Sequence, residues 1–188
     1  MRKTHIILSQ PGYLSKVFEN MLCEIMSSRK IDLRELLPQE IRSESILGKE
    51  FKHYITQGEI IHPDLLNKLI KREINKDSTN VIIVNYPKTQ EQYNSLKKLI
   101  DIDRVWNLKI VGLDFFIEKQ YSKLNEKYIL ENNITRKALK LKVSAEEYKI
   151  QTLIAVIQKD YPCTLVEMDY ENELKMTNYF NSKIEGLK

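Results

Sequence analysis

The most constraining feature of this 188-residue chain is its opening unit, an apolar run followed by a turn and an amphipathic segment. Residues Thr4–Leu8 form the run, and Pro11 and Gly12 mark the turn. From Ser15 to about Ser28, apolar residues recur at helical spacing. A continuous apolar run is typical of a parallel strand that is covered on both faces. The unit therefore predicts a strand followed by a helix packed on the same sheet.

The rest of the chain repeats this alternation of short apolar runs and amphipathic segments. The run NVIIVN at 80–85 is the strongest strand, because turn-forming residues precede it and Pro87 follows it. Strands that alternate with helices indicate a mainly parallel sheet with right-handed crossovers. We expect an α/β fold, a five-stranded parallel sheet flanked by helices, with strands near residues 4–8, 31–33, 80–85, 108–113 and 164–168.

Helical periodicity fills the intervals between these strands. Between the second and third strands, Gly58 suits the C-cap of one helix and Pro63 the first turn of the next. Pro38 is expected to interrupt or restart the helix before them. The basic segment TRKALKLK at 135–142 has no definite predicted form. The other helices are predicted at 15–28, 90–100, 118–132, 146–159 and 173–187.

Composition narrows the class of protein. Hydrophobic residues make up 42% and charged residues 30% of the chain, as in a water-soluble globular protein with one core. The net charge of +4 suits phosphate-bearing ligands but falls short of a nucleic-acid signature. The apolar runs are too short for a signal peptide or a membrane span. Cys23 and Cys163 lack metal-site spacing, so we expect reduced thiols and a cytoplasmic protein.

The turn after the first strand keeps part of a phosphate-loop pattern, G-x-x-x-x-G-K-[ST]. Lys16 is in register with the lysine, but Gln10 and Ser15 stand where the glycines belong. Val17 and Phe18 follow, and neither can supply a hydroxyl to magnesium. Taken alone, a lysine at a helix start is more often a surface residue than a ligand, so Lys16 stays open between the two interpretations.

Three matches in the same order resemble the adenylate kinases, within the nucleoside monophosphate kinase family. The opening strand with Lys16 is the first. Residues Leu47–Lys49 and Gly58–Asp64 look like that family's LGK…G-x-[LI]-[VI]-x-[PTD]-[DE] hairpin, which covers the nucleoside monophosphate. Residues Tyr86–Thr89 followed by Gln92 look like its signature [DN]-G-F-P-R-[TS]-x-x-Q. The resemblance implies a P-loop kinase fold in one domain over residues 1–188, with a core at 1–34, 77–125 and 144–188, a monophosphate-binding subdomain at 35–76 and a short lid at 126–143.

The sequence also departs from the family pattern. Val84 stands where the family has a magnesium-organising aspartate, and Asn85 replaces the glycine that lets the monophosphate approach. Lys88 and Lys123 stand for phosphate-binding arginines. Pro38 aligns with a further arginine, for which Arg34 or Arg42 could substitute.

The resemblance implies ATP or another nucleotide as ligand, whereas the departures argue against magnesium and predict no metal site. The implied nucleotide-binding residues are Gly12, Ser15, Lys16, Ile60, Ile61, Asn85, Lys88, Gln92, Lys123 and Arg136. Lys16, Lys88 and Lys123 would also be catalytic if the protein is active.

Three functions remain open at this point. The first is an adenylate kinase-like protein that binds a nucleotide or other phosphate-bearing small molecule but transfers phosphoryl groups weakly or not at all, because the cradle and the metal-organising groups are lost. The second is an active nucleoside monophosphate kinase. The third is an interaction module that uses the kinase fold to bind a protein partner. None of the three involves a membrane or a specific nucleic acid.

Overall fold

The computed structural model describes residues 2–185, which form an α/β fold around a five-stranded sheet. All strand pairs are parallel and the strand order is β2-β3-β1-β4-β5. The expected five-stranded parallel sheet is therefore confirmed. The strands are β1 Thr4–Ser9, β2 Ser28–Asp32, β3 Asn80–Val84, β4 Arg104–Val111 and β5 Cys163–Asp169.

Nine α-helices lie in residues 2–185, and their bounds differ from the predictions mainly in the second half of the chain. The predicted helix at 118–132 is two helices, because the side chain of Asn125 caps a new one. The segment 135–142 and the helix predicted at 146–159 form one helix, capped by Thr135. The helices are α1 Tyr13–Ile25, α2 Leu33–Arg42, α3 Ile46–Gln57, α4 Pro63–Ile74, α5 Gln90–Leu96, α6 Leu113–Tyr121, α7 Glu126–Glu131, α8 Arg136–Ile157 and α9 Met176–Glu185.

Three further boundaries need correction or qualification. β4 begins at Arg104 rather than Leu108, since Val105 and Trp106 are fully buried in the sheet. The closing helix was predicted from Glu173, where a short 3-10 turn precedes α9, and its predicted end at Leu187 lies outside the described residues. Pro38 lies inside α2 without ending it.

Strand pairing explains why the apolar runs are continuous. Ile6 pairs with Ile83 and Val105, and all three enter the core under α2–α5 and the C-terminal half of α8. The next residue, Ile7, pairs with Val84 and Trp106, and these enter the core under α1, α6 and α9. Successive side chains of a strand point to opposite faces, so a strand covered on both faces needs apolar residues throughout.

The helical hairpin between β2 and β3 forms as its turn residues predict. Gly58 ends α3 in the left-handed conformation at φ +67°, and Pro63 occupies the first turn of α4. The buried carboxylate of Glu40 joins α2 to this hairpin by accepting hydrogen bonds from Arg72 and from the hydroxyl of Ser45. Within residues 2–185, no helix is long and apolar enough to cross a membrane.

Gly48 is expected to be essential for the packing of α3 on α2. A Cβ at this position would collide with the backbone carbonyl of Glu40, which cannot move without shifting α2. We predict that Gly48→Ala lowers the free energy of unfolding by about 1–3 kcal/mol, as overpacking typically does. Urea denaturation would measure the loss, with the exposed α3 substitution Lys52→Ala as a control that should change it by less than about 0.5 kcal/mol. Equal effects would show that α2 and α3 pack less closely than described.

Glu40 should make stability depend on pH. Hydrogen bonds from Arg72 lower the pKa of Glu40 to about 2, below its usual value in the unfolded chain. A lowered carboxyl pKa stabilises the fold above the unfolded value, near 4.5, and this stabilisation is lost as the pH falls towards 2. We predict that Glu40→Gln is less stable than the wild type by about 1–3 kcal/mol at pH 7, and that the gap narrows below pH 4.5.

Urea denaturation at pH 7, 4.5 and 3 would follow that gap. The exposed α3 substitution Glu50→Gln is the control, and its difference from the wild type should stay small throughout. A gap for Glu40→Gln that is constant with pH would contradict the ion pair with Arg72.

Candidate functional site

The candidate site lies where the carboxyl ends of β1 and β3 meet. These strands are neighbours, and the chain leaves them in opposite directions: Leu14 and Phe18 of α1 pack on one face of the sheet, whereas Tyr93 and Leu96 of α5 pack on the other. A crevice must open between helices that separate in this way, and open α/β sheets bind their ligands there.

The inner lobe of this crevice is a cavity of about 100 Å³. Three cationic side chains and one carboxylate line it, namely Arg34, Lys88, Lys149 and Glu146, so its walls carry a net charge of two positive units. Lys149 and Glu146 lie on α8, which also contributes apolar side chains to this lining. The remaining lining residues are Leu8, Ser9, Gln10, Pro11, Asn85, Pro87, Ile150 and Leu153.

Asp32 holds the side chain of Arg34 in place. Asp32 caps α2 by accepting from the Arg34 backbone N–H at 2.9 Å, and its carboxylate also accepts from Arg34 Nη2 at 2.6 Å. Burial alone would raise the pKa of Asp32, but the hydrogen bonds from Arg34 outweigh it and the pKa lies below its usual value. The paired carboxylate therefore fixes the guanidinium at the crevice while neutralising part of its charge.

Asn85 connects β1, β3 and Arg34. Its amide nitrogen lies 2.8 Å from the carbonyl oxygen of Ser9, and its amide oxygen lies 3.1 Å from Arg34 Nη2 in the orientation that satisfies both groups. Its backbone is left-handed at φ +56°, which glycine adopts freely and asparagine tolerates better than most residues. Asn85 thus has a backbone conformation that glycine usually adopts.

The loop after β3 presents Lys88 to the crevice. A cis Tyr86–Pro87 peptide precedes it, and its backbone N–H donates to Gln92 Oε1 at 2.7 Å. Lys88 forms no ion pair within 4.0 Å in residues 2–185. The hydrogen bond from Lys149, at 2.7 Å, and the charge of Lys88 lower the pKa of Glu146, which is therefore anionic between the two lysines.

An outer groove of about 350 Å³ adjoins the inner lobe and shares Arg34, Asn85 and Lys88 with it. Its other walls are largely apolar and include Ile60, whose side chain is 91% exposed. Ile61 and Gln92 also line this groove, with Asp32, Leu33, Leu37, Ile55, Glu59, Leu66, Val84 and Tyr86. The crevice as a whole can hold an anionic group at its cationic end and a flat apolar group along the groove.

The N-terminus of α1 is arranged differently from the predicted phosphate loop. Residues 13–16 are helical, and Lys16 N donates to Gly12 O at 3.3 Å. The Ser15 hydroxyl, which is buried, accepts from Gly12 N and donates to Gly12 O. The Lys16 side chain is exposed and lies outside the lining of both lobes. Gly12, Ser15 and Lys16 therefore remain predicted ligand contacts that the geometry does not bring to the crevice.

Lys123 and Arg136 also lie outside both lobes. Lys123 is exposed in the turn after α6. Arg136 is paired with Glu118, and its guanidinium lies 4.1 Å from the centroid of the Tyr121 ring. The charge of Arg136 is thus partly neutralised at the α6–α8 contact. Both residues remain predicted contacts without a place in the crevice.

Two positions that the resemblance assigns to magnesium offer it no oxygen ligand. Val84 is 1% exposed and Phe18 fully buried, and neither carries an oxygen ligand. The carboxylate of Asp32 is already engaged by Arg34, as the Ser15 hydroxyl is by Gly12. Across residues 2–185, no group of three or more His, Cys, Asp or Glu side chains could hold a metal.

Sequence reasoning missed Lys149 and Glu146 and gave Arg34 only as a substitute. The first two lie on α8, about 60 residues after β3, so their place at the crevice depends on how that helix crosses the sheet. The only local signal was their spacing of three residues, which puts opposite charges on one helix face. Such pairs are common on exposed helices and do not identify a site.

Comparison with known proteins gives one consistent result. The chain is 30% identical over 117 residues to an adenylate kinase of Thermococcus onnurineus, covering 62% of this chain and 51% of that protein. It is 29% identical over 100 residues to one of Prochlorococcus marinus, covering 53% and 55%, and 29% over 112 residues to one of Mycobacterium leprae, covering 56% and 62%. The chain spans about half the length of the curated relatives it matches. No family model matches it.

Asn85 provides a direct test of the crevice backbone. We predict that Asn85→Ala is less stable than Asn85→Gly by about 1 kcal/mol, because only glycine adopts a positive φ without strain. Both variants lose the amide contacts, so their difference isolates the backbone. Urea denaturation would measure it. At the exposed helical control Asn94, alanine should instead be the more stable by about 1 kcal/mol. The same order at both positions would contradict the left-handed backbone.

Proposed function

We propose, for a chain that is adenylate kinase-like in sequence and fold, that the crevice between β1 and β3 binds a nucleotide or another phosphate-bearing small molecule, and that phosphoryl transfer is weak or lost. The observation that carries this proposal is the convergence of Arg34, Lys88 and Lys149 on one cavity at the strand ends. Adenylate kinase relatives imply nucleotides as ligands. The cationic inner lobe supplies the charge that a phosphate requires.

In this proposal the phosphate occupies the inner lobe and the nucleoside lies along the outer groove. Asp32 and Asn85 engage Nε and Nη2 of Arg34, so the guanidinium offers the N–H groups of Nη1 to the phosphate. Lys88 adds a charge that no neighbouring carboxylate pairs within 4.0 Å in the described part of the chain. Gln92 Oε1 is used by the Lys88 backbone, which leaves its amide N–H groups for a base. Ile60 and Ile61 would cover the flat face of that base.

Weak or absent transfer follows from the chemistry of the reaction. Phosphoryl transfer needs donor phosphates held by backbone N–H groups and a metal ion that bridges them. Residues 13–16 form a helical turn, and Val84 and Phe18 offer no oxygen to a metal. We further propose that the hairpin at 35–76 is the monophosphate-binding part and that residues 126–143 form a short lid. We also propose that the protein is located in the cytoplasm.

The alternative is an active nucleoside monophosphate kinase. The names of the relatives favour it, since each of those proteins is described as an adenylate kinase. In that case Lys16 and Lys123 would have to reach the ligand from outside the two lobes. An interaction module without a ligand is the third candidate, and it predicts no nucleotide binding at all.

Lys88 should contribute to ligand binding. We predict that Lys88→Ala weakens AMP binding about tenfold, because a charge-assisted hydrogen bond of about 1.4 kcal/mol is lost. Isothermal titration calorimetry would measure the affinity. Lys98→Ala is the matched control: Lys98 is exposed on the same connection between β3 and β4 and lies outside both lobes, so its effect should stay within about twofold. Equal effects of the two substitutions would remove Lys88 from the site.

A coupled assay of ADP formation distinguishes weak or absent phosphoryl transfer from an active nucleoside monophosphate kinase. With ATP, AMP and magnesium, we expect turnover well below the range of about 1–100 s⁻¹ that is typical of kinases. Turnover of about 10 s⁻¹ that Lys16→Ala abolishes would establish the active kinase instead. Nucleotide titration without any rise in melting temperature would favour the interaction module.

A further inference from the structure

Gly12 is required for space rather than for conformation. Its φ of −167° is extended backbone that any residue can adopt. A Cβ there would collide with the Tyr170 hydroxyl and approach the Phe116 ring to 3.0 Å. The glycine that sequence reasoning assigned to a nucleotide is thus explained by two aromatic side chains of the protein itself.

Tyr170 is firmly packed against this glycine. It follows β5, where its backbone N–H donates to Val111 O at 3.1 Å, and its side chain is 2% exposed. Its ring meets the Phe116 ring edge to face, with 4.8 Å between centroids. The hydroxyl is buried and makes no hydrogen bond of ordinary geometry in residues 2–185, although the Leu14 backbone N–H lies near it. Burial raises the pKa of Tyr170, and the nearby backbone N–H of Leu14 acts in the opposite direction.

This hydroxyl lies beside the N-terminus of α1, the helix that follows the first strand. In proteins with a working loop, phosphates bind at the N-terminus of the helix after the first strand, because its free N–H groups and dipole favour negative charge. Here that helix is α1, and the oxygen beside its first residues belongs to Tyr170. Gly12 N donates to Ser15 and Lys16 N to Gly12, so two of the local donors are also engaged.

We propose that Tyr170 closes the phosphate-donor position at the N-terminus of α1, so that the chain accepts one monophosphate-bearing ligand in the crevice and no second nucleotide beside it. The ligand class rests on the proposed function, whereas the closure rests on Tyr170 and Gly12 alone. A neutral oxygen in the place of an anion is stable because it needs no counter-charge. Lys16 then remains a surface residue.

Two polyanionic probes test the closure in the whole 188-residue chain by calorimetry. Di(adenosine) pentaphosphate can span an acceptor and a donor position, which raises affinity greatly when both are open. We expect it to bind within about threefold of AMP, and inorganic tripolyphosphate to bind no more weakly to Lys16→Ala than to the wild type. Binding of the pentaphosphate 100-fold tighter than AMP, lost in Lys16→Ala, would overturn the closure and leave the proposed function intact.

The same measurements also show whether the proposed function fails while the closure holds. If neither AMP nor inorganic phosphate binds and tripolyphosphate binding is unaffected by Lys16→Ala, the proposed function fails while the closure stands. Tyr170→Ala, checked for folding by circular dichroism, should gain at least tenfold in Lys16-dependent tripolyphosphate affinity, and a folded variant without this gain would contradict the role of Tyr170. Tyr170→Phe keeps the ring in place and should show no such gain. The comparison of probes on the wild-type protein decides the question even if Tyr170→Ala does not fold.

Discussion

The pairing of β1 between β3 and β4 is the constraint on which the rest of the structure depends. Ile6 and Ile7 are completely buried on opposite faces, so helices must cover both sides of the sheet. Because the helices after β1 and β3 leave towards different faces, the strand ends at Ser9 and Asn85 are left uncovered between them. The crevice is therefore a consequence of sheet topology, and its chemistry depends on the side chains that surround this gap.

Those side chains give the two sides of this gap opposite characters. On the β2–β3 side, Arg34 is oriented by Asp32 and by the amide of Asn85, and it remains accessible at a cavity. On the α1 side, the groups that could meet an anion are turned inwards: the Ser15 hydroxyl returns to Gly12, and Tyr170 covers the same glycine. A kinase needs both sides open at once, since donor and acceptor must approach each other. This asymmetry is the basis of the proposal that phosphoryl transfer is weak or lost.

Most of the fold could be predicted from the sequence, because strand burial and helix caps are local properties. The alternation of segments, the cap at Gly58 and the position of Pro63 all could be predicted from neighbouring residues. The site was predictable only in part. Lys88 and Asn85 could be predicted because they follow a recognisable strand. The contact of Tyr170 with Gly12 joins residues 158 positions apart, and no local sequence pattern predicts it. The extent of α8 was missed for a similar reason, since the basic stretch at 135–142 is helical through its continuity with the buried turns that follow.

The length of α8 couples two regions that the sequence suggested were separate. Its first turns carry Arg136 and Lys140, which pair with Glu118 and Asp114 of α6, and its middle carries the lysine and glutamate that form one wall of the inner lobe. A continuous helix moves as a rod. Tilting its outer end would break both pairs and displace the four α8 residues that line the inner lobe, so residues 136–143 of the predicted lid can move as a rigid piece only by reshaping that cavity.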